Sequence, residues 1–193
     1  MEYAEFIKRK IKLSEQRGFE VNDSEISPVL KPFQRACVRW AVLQGCAALF
    51  ESFGLGKTMQ QLEIVRIILM MVARTTGVDG MALIVIPLGV RQEFLRDADT
   101  LGIRVKFVRR IEECEGPGIY LTNYETVRDG KLDPKHFICA SLDEAAILSS
   151  FGGTKTFREF MATFAGARKT MTERPLSEGV KYRFVATAPP SPN

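Results

Sequence analysis

Beyond residue 30 the chain alternates two hydrophobic rhythms. Gln34 to Leu43 carries apolar positions at helical spacing, Ala47 to Phe50 is an apolar run of strand length, and Thr58 to Arg74 is a long, largely apolar helical stretch. Met81 to Ile86, "MALIVI", is continuous and rich in β-branched residues, the pattern of a strand covered on both faces of a parallel sheet. Val90 to Leu101 reads as helix, Val105 to Val108 and Ile119 to Thr122 as strands, and Phe137 to Leu142 as a second buried strand. Phe157 to Phe164 follows as helix and Tyr182 to Thr187 as a last strand. Strands alternating with helices predict an α/β fold: a doubly wound, mostly parallel sheet with helices on both faces.

The first 28 residues are charged and end at "SEISP", which predicts a helical extension and connector (1–28) ahead of one domain (29–193). A chain of 193 residues, 46% hydrophobic and 26% charged, can bury one good core and has no disordered or low-complexity bias. The net charge of +4 tilts only weakly toward an anionic partner. Cys37, Cys46, Cys114 and Cys139 form no C-x-x-C pair, and with His136 as the single histidine there is no zinc-like cluster; free thiols in a reducing cytosol are expected. The N-terminus lacks the apolar centre of a signal peptide. The longest oily run, Ile64 to Ala73, is interrupted by Arg66 and falls short of the roughly 18 apolar residues of a membrane span. A cytoplasmic protein without a membrane partner is the expectation.

The chemistry concentrates first at "LFESFGLGKTMQQL", Leu49 to Leu62. A short strand, a tight loop with Gly54, Leu55 and Gly56, and a helix opening at Lys57 are the context of a phosphate-binding P-loop, where successive N–H groups and the helix N-terminus converge on an anion. Lys57 would reach the β- and γ-phosphates and the Thr58 hydroxyl would bind Mg²⁺. The generic motif G-x-x-x-x-G-K-[ST] has glycine where this chain has Glu51. A glycine turn that merely starts a helix is the bland alternative.

A second signal is "FICASLDEAAIL", an apolar strand running into Asp143 and Glu144. That places two carboxylates at the carboxyl edge of a parallel sheet, where α/β proteins bind ligands. Asp143 can hold Mg²⁺ and Glu144 can polarise the water that attacks a γ-phosphate; alone, the pair reads more readily as a helix N-cap with a first-turn acid. Third, Gln34 in "LKPFQ" offers an amide that can pair with adenine, although without the P-loop the better reading is that Pro32 just starts a helix. The terminal "RFVATAPPSPN" is by itself a strand end.

In order, LKPFQ, GLGKT, LIVIPLGVRQEF, YLTNYE, LDEA and FVATAPPSPN, the chain resembles the first RecA-like motor lobe of superfamily 2 DEAD/DEAH-box-like helicases. Within them it is most similar to the Swi/Snf-type translocases and their phage and prophage relatives, over about residues 28 to 193. In that branch an acid stands six before the P-loop lysine, so Glu51 falls where one is expected. The resemblance implies an ATP-dependent helicase or translocase using ATP and Mg²⁺. Gln34 would read adenine, Lys57 and Thr58 hold phosphate and metal, Asp143 bind metal and Glu144 act as catalytic base. Pro87 to Arg91 and Thr122 to Glu125 match segments that grip a nucleic-acid backbone, DNA being favoured over RNA, and Arg91, Gln92, Thr122 and Asn123 are donors able to bind phosphates without reading sequence. Thr187 matches the segment coupling hydrolysis to strand movement.

Two positions depart from the family. Ala146 replaces a frequent His, and Pro189 replaces a second Thr, each removing a coupling side chain; Lys155 matches a residue of the Swi/Snf branch. Hydrolysis in such motors needs a second RecA-like lobe, in cis or in trans, supplying an arginine worth roughly 10³ to 10⁵ in rate; a piece of a longer motor is the expectation. The alternatives are a degenerate ATP-binding interaction module without turnover and a small-molecule P-loop kinase, which leaves LKPFQ and Thr187 unexplained.

Overall fold

In the computed structural model, which describes residues 16–145, 164 and 179–188, the elements follow in chain order. They are α1 (Pro32–Gln44), β1 (Cys46–Phe50), α2 (Lys57–Thr76), β2 (Met81–Ile86), α3 (Arg91–Thr100), β3 (Val105–Phe107), β4 (Gly118–Asn123), α4 (Tyr124–Arg128), β5 (Cys139–Asp143) and β6 (Tyr182–Thr187). The six strands form one sheet in the order β1-β6-β5-β2-β4-β3, and every pairing is parallel. All the strands therefore end on the same edge, and whatever follows each strand is delivered there.

The period of two along β2 divides the interior into two cores. Ala82, Ile84 and Ile86 enter the core built with α1, α2 and α3, while Leu83 and Val85 enter a second one on the opposite face. There they meet Tyr124 and Val127 of α4, Leu132, Phe137 and Phe164. These five of the six β2 side chains are fully buried, so the uninterrupted apolar run is what a two-faced environment demands. No helix among the described residues is long and apolar enough to cross a membrane.

Helix α1 shows how local chemistry sets the ends. Pro32 stands in the first turn, where its missing N–H removes no helical bond, and the Gln34 side chain accepts from the Lys31 N–H at 2.8 Å. At the other end Gly45 adopts φ 67°. The orphan carbonyls of Val42, Leu43 and Gln44 accept from Phe19, Gly18 and Arg17 at 3.1, 3.1 and 3.2 Å. Gly18 is required there, since a Cβ would lie 1.7 Å from the Val42 carbonyl oxygen.

Residues 16 to 30 are thus packed into the same unit. Val21, Ile26 and Leu30 are buried in the same core as α1 and α2, and the Phe19 and Tyr182 rings stand 5.5 Å apart. The expected boundary at residue 28 cuts through this packed unit; the helix expected earlier in the extension lies outside the described residues. So do Ala146, Lys155, Pro189 and the helix expected at Phe157 to Phe164, apart from Phe164 itself. Strand β5 starts at Cys139 rather than at Phe137, because the turn Pro134–His136 is still resolving and Phe137 turns into the second core.

Candidate functional site

The loop between β1 and α2 turns on two left-handed glycines, Gly54 at φ 80° and Gly56 at φ 76°. Gly56 is the residue from which α2 starts, so the unpaired N–H groups of the first helical turn and the positive helix end face the loop's concavity. Lys57 folds back over the loop: its Nζ donates to the Glu51 and Ser52 carbonyls at 2.9 and 3.1 Å and lies 5.3 Å from the Phe53 ring centroid. Phosphate oxygens are stronger acceptors for that ammonium than two carbonyls.

Glu51 stands beneath this loop. Its Oε2 accepts from Gln60 Nε2 at 2.8 Å, and the same Nε2 lies 3.3 Å from the Leu55 carbonyl. Burial, then the neighbouring Glu51 charge, push the Cys37 thiol up from its usual range. The acid that replaces the generic glycine therefore braces the loop against α2. The Gln34 amide adds a second brace: Nε2 donates to the Leu55 carbonyl at 2.9 Å while Oε1 holds the Lys31 N–H, and the residue is only 5% exposed.

Strand β5 brings Asp143 to the same place, and a pocket of about 150 Å³ joins Gly54, Gly56, Lys57 and Thr58 to Asp143 and Glu144, with Phe53, Val90 and Glu93 completing its lining. Asp143 is 6% exposed; Gln61 Nε2 donates to its Oδ1 at 2.7 Å and the Tyr124 hydroxyl donates to its carbonyl at 2.6 Å. Burial raises the Asp143 carboxyl to about 6, the Gln61 hydrogen bond and Lys57 opposing that rise and Glu144 and Glu93 adding to it. Glu144 follows at φ 51°, the only non-glycine residue with positive φ among the described residues. A non-glycine held there stores backbone strain of order 1 kcal/mol, the kind that collects at working sites.

The donor set fits Mg²⁺: a carboxylate and a hydroxyl, hard oxygen ligands on neighbouring elements, with room for water and phosphate oxygens. Thr58 would supply the hydroxyl and Asp143 the carboxylate. Gln60, Gln61, Glu93 and Tyr124 carry roles that sequence reasoning missed. The signal for the two glutamines is their place within an apolar helix; both are fully buried.

The remaining expected residues sit along the same carboxyl edge. Pro87 follows β2 directly, and Arg91 opens α3 with its guanidinium 4.3 Å from the Phe107 ring centroid. Its Nε is buried without a hydrogen-bond partner. Gln92 is exposed. Thr122, expected as a phosphate donor, is instead fully buried with its hydroxyl donating to the Val108 carbonyl at 2.8 Å, because β4 is an interior strand. The Asn123 side chain is turned to capping α4, accepting from the Thr126 N–H at 3.2 Å. Thr187 ends β6 opposite Phe50, and its carbonyl accepts from the Glu51 N–H at 3.2 Å, so the expected coupling segment touches the start of the P-loop.

A parallel six-stranded sheet with a glycine loop after its first strand and paired carboxylates at the end of β5 defines the RecA-like P-loop fold. Among solved structures the chain is similar to the SWI2/SNF2 ATPase core of Sulfolobus solfataricus in complex with dsDNA. The TM-score is 0.65 and the identity 17%, over 89% of this chain and 34% of that one. The same ATPase core domain solved separately gives a TM-score of 0.62 at 18% identity. The UvsW helicase of bacteriophage T4 gives 0.55 at 13% identity, over 97% of this chain and 60% of that one. The chain thus spans about a third of the length of the SWI2/SNF2 cores. No protein-family model and no curated protein matches the sequence.

Proposed function

We propose that this chain is the ATP-binding lobe of an ATP-dependent nucleic-acid motor, a helicase or translocase acting on DNA in preference to RNA. The observation that carries the reading is the pocket in which Lys57 and Thr58 meet Asp143 and Glu144 at one sheet edge. Lys57 exchanges the Glu51 and Ser52 carbonyls for phosphate oxygens, and the N-terminus of α2 stabilises the same charge. Thr58 and Asp143 would hold Mg²⁺, which would supply positive charge to the bound phosphates. Glu144 orients and deprotonates the attacking water. Gln34 would read adenine by exchanging the Lys31 N–H and Leu55 carbonyl that its amide now holds.

Nucleic acid is assigned to the adjoining part of the edge, through Pro87 to Gln92 and the main chain around Asn123. The fold shared with a SWI2/SNF2 core solved on dsDNA supports this assignment and the preference for DNA. A second RecA-like lobe, in cis or in trans, would supply the arginine that completes hydrolysis. Equilibrium titration of the lobe with ATP and Mg²⁺ tests the reading. Saturable binding that weakens at least about tenfold in Lys57→Ala, about 1.4 kcal/mol, supports it. Affinity unchanged by Lys57→Ala overturns it.

A further inference from the structure

Gln61 is a fully buried polar side chain in the middle of the apolar face of α2, flanked by core residues Leu62, Ile64 and Val65. A leucine would fill that volume without the desolvation that a buried amide carries, so both ends of the amide must be satisfied for it to persist. They are: Nε2 donates to Asp143 Oδ1 at 2.7 Å, and Oε1 accepts from the Ser141 hydroxyl at 2.6 Å. Ser141 and Asp143 are two apart on β5 and share a face of the sheet; Thr58 and Gln61 are three apart on α2 and share a face of the helix. One amide therefore ties the helix face that carries the Thr58 hydroxyl to the strand face that carries the Asp143 carboxylate.

The direction of the amide is determined. Turned over, its oxygen would confront the carboxylate oxygen of Asp143, whereas in the observed sense the Ser141 hydroxyl donates to Oε1 and leaves Nε2 no choice but Asp143. With Oδ1 held, Oδ2 is the oxygen left for a cation. We propose that Gln61, backed by Ser141, is the positioning residue that holds the Asp143 carboxylate in register with the Thr58 hydroxyl for Mg²⁺. The inference rests on the nucleotide-site reading above.

The test is the ratio of ATP affinity in Mg²⁺ to that in EDTA, measured by titration calorimetry on the wild type and on Gln61→Met, which keeps the length and packing of the side chain without the amide. Outer-shell partners of metal ligands are typically worth about 10- to 100-fold in metal affinity, so the ratio should fall about tenfold or more in Gln61→Met. Affinity in EDTA, which reads the P-loop alone, should stay within about twofold. Asp143→Asn marks the floor of the ratio. Ser141→Ala, which frees the amide to rotate, should lower the ratio by a smaller factor, and it takes the place of Gln61→Met if that variant does not fold. A wild-type ratio retained in the folded variants overturns the inference, as does an equal loss in Mg²⁺ and in EDTA, the mark of general damage. A wild type that binds ATP no better with Mg²⁺ than without overturns this inference alone, whereas a wild type that binds no ATP in either condition overturns the nucleotide-site reading and this inference with it.

Discussion

The Tyr124 hydroxyl donates at 2.6 Å to the main-chain carbonyl of Asp143, so the residue after β4 is bonded to the last residue of β5. Tyr124 is 2% exposed, and burial followed by the Asp143 and Glu144 charges pushes its hydroxyl well above the usual tyrosine range. It stays a neutral donor at any working pH. The bond grips the chain immediately before Glu144 takes its left-handed turn. Tyr124→Phe keeps the ring and removes one buried hydrogen bond, a loss of about 1 kcal/mol by the usual net value of such a bond. Urea denaturation of the lobe should show that loss. Under the proposed function the turnover number for ATP hydrolysis should fall while the KM for ATP holds, because the change reaches Glu144 rather than the P-loop. Stability and turnover equal to wild type would show that the bond supports nothing.

Two loop glycines share a left-handed backbone but differ in surroundings, and this makes a paired prediction. At Gly54 an added Cβ meets nothing within 4 Å; at Gly56 it would lie 2.3 Å from Gln34 Nε2. Gly54→Ala should therefore carry only the conformational penalty of about 1 kcal/mol. Gly56→Ala carries that plus displacement of the Gln34 amide from Leu55, a hydrogen bond of roughly another 1 kcal/mol. Thermal unfolding ranks the two, and nucleotide titration should show the larger affinity loss for Gly56→Ala. Equal effects would mean that Gln34 does not brace the loop.

Residues whose environment is local were legible from sequence. Met81 to Ile86 has no polar position, and only a strand covered on both faces tolerates that. The order of loops after strands then placed Lys57, Thr58, Asp143 and Glu144 on one edge, since parallel strands all end there. What sequence does not show is which polar side chain is inside. Gln61 and Thr122 look like surface residues, yet both are fully buried, because their partners at Ser141, Asp143 and Val108 come from other elements. Residues 16 to 28 read as a connector for the same reason: the groups that anchor them are on α1 and α2.

The buried Asp143 carboxyl makes stability depend on pH in an unusual direction. Burial lifts it from the ordinary 3.8 to about 6, so the folded lobe binds a proton more readily than the unfolded chain. Its contribution is fully present below about pH 4 and is lost as pH rises through about 6, a change of at most about 3 kcal/mol. Asp143→Asn removes this dependence and keeps an oxygen for Gln61 to bond. The variant should exceed wild type in stability at pH 7.5 and converge on it near pH 4, in urea melts without Mg²⁺. A difference that does not change between those two pH values would refute the assignment.

The N-terminal segment is held by an ion pair whose carboxylate is buried and whose guanidinium is partly exposed, and the consequence is measurable. Glu63 is fully buried on α2; its Oε1 accepts from the Ser27 N–H at 2.6 Å, and Arg66 donates to both its oxygens at 2.8 Å while also reaching the Glu25 carbonyl at 2.7 Å. Removing the arginine leaves a carboxylate with one main-chain donor and no charge partner in a low-dielectric site. Arg66→Met should lower stability by about 1–3 kcal/mol, less than the penalty for breaking a wholly buried pair because the guanidinium is partly exposed. Glu63→Gln, which keeps an acceptor for Ser27 and removes the stranded charge, should rescue much of that loss when combined with Arg66→Met. Urea denaturation of the single and double variants, with proteolysis between residues 16 and 30 as a local probe, checks the expectation. A double variant as unstable as Arg66→Met alone would show that packing of the arginine stem, and not the buried charge, carries the effect.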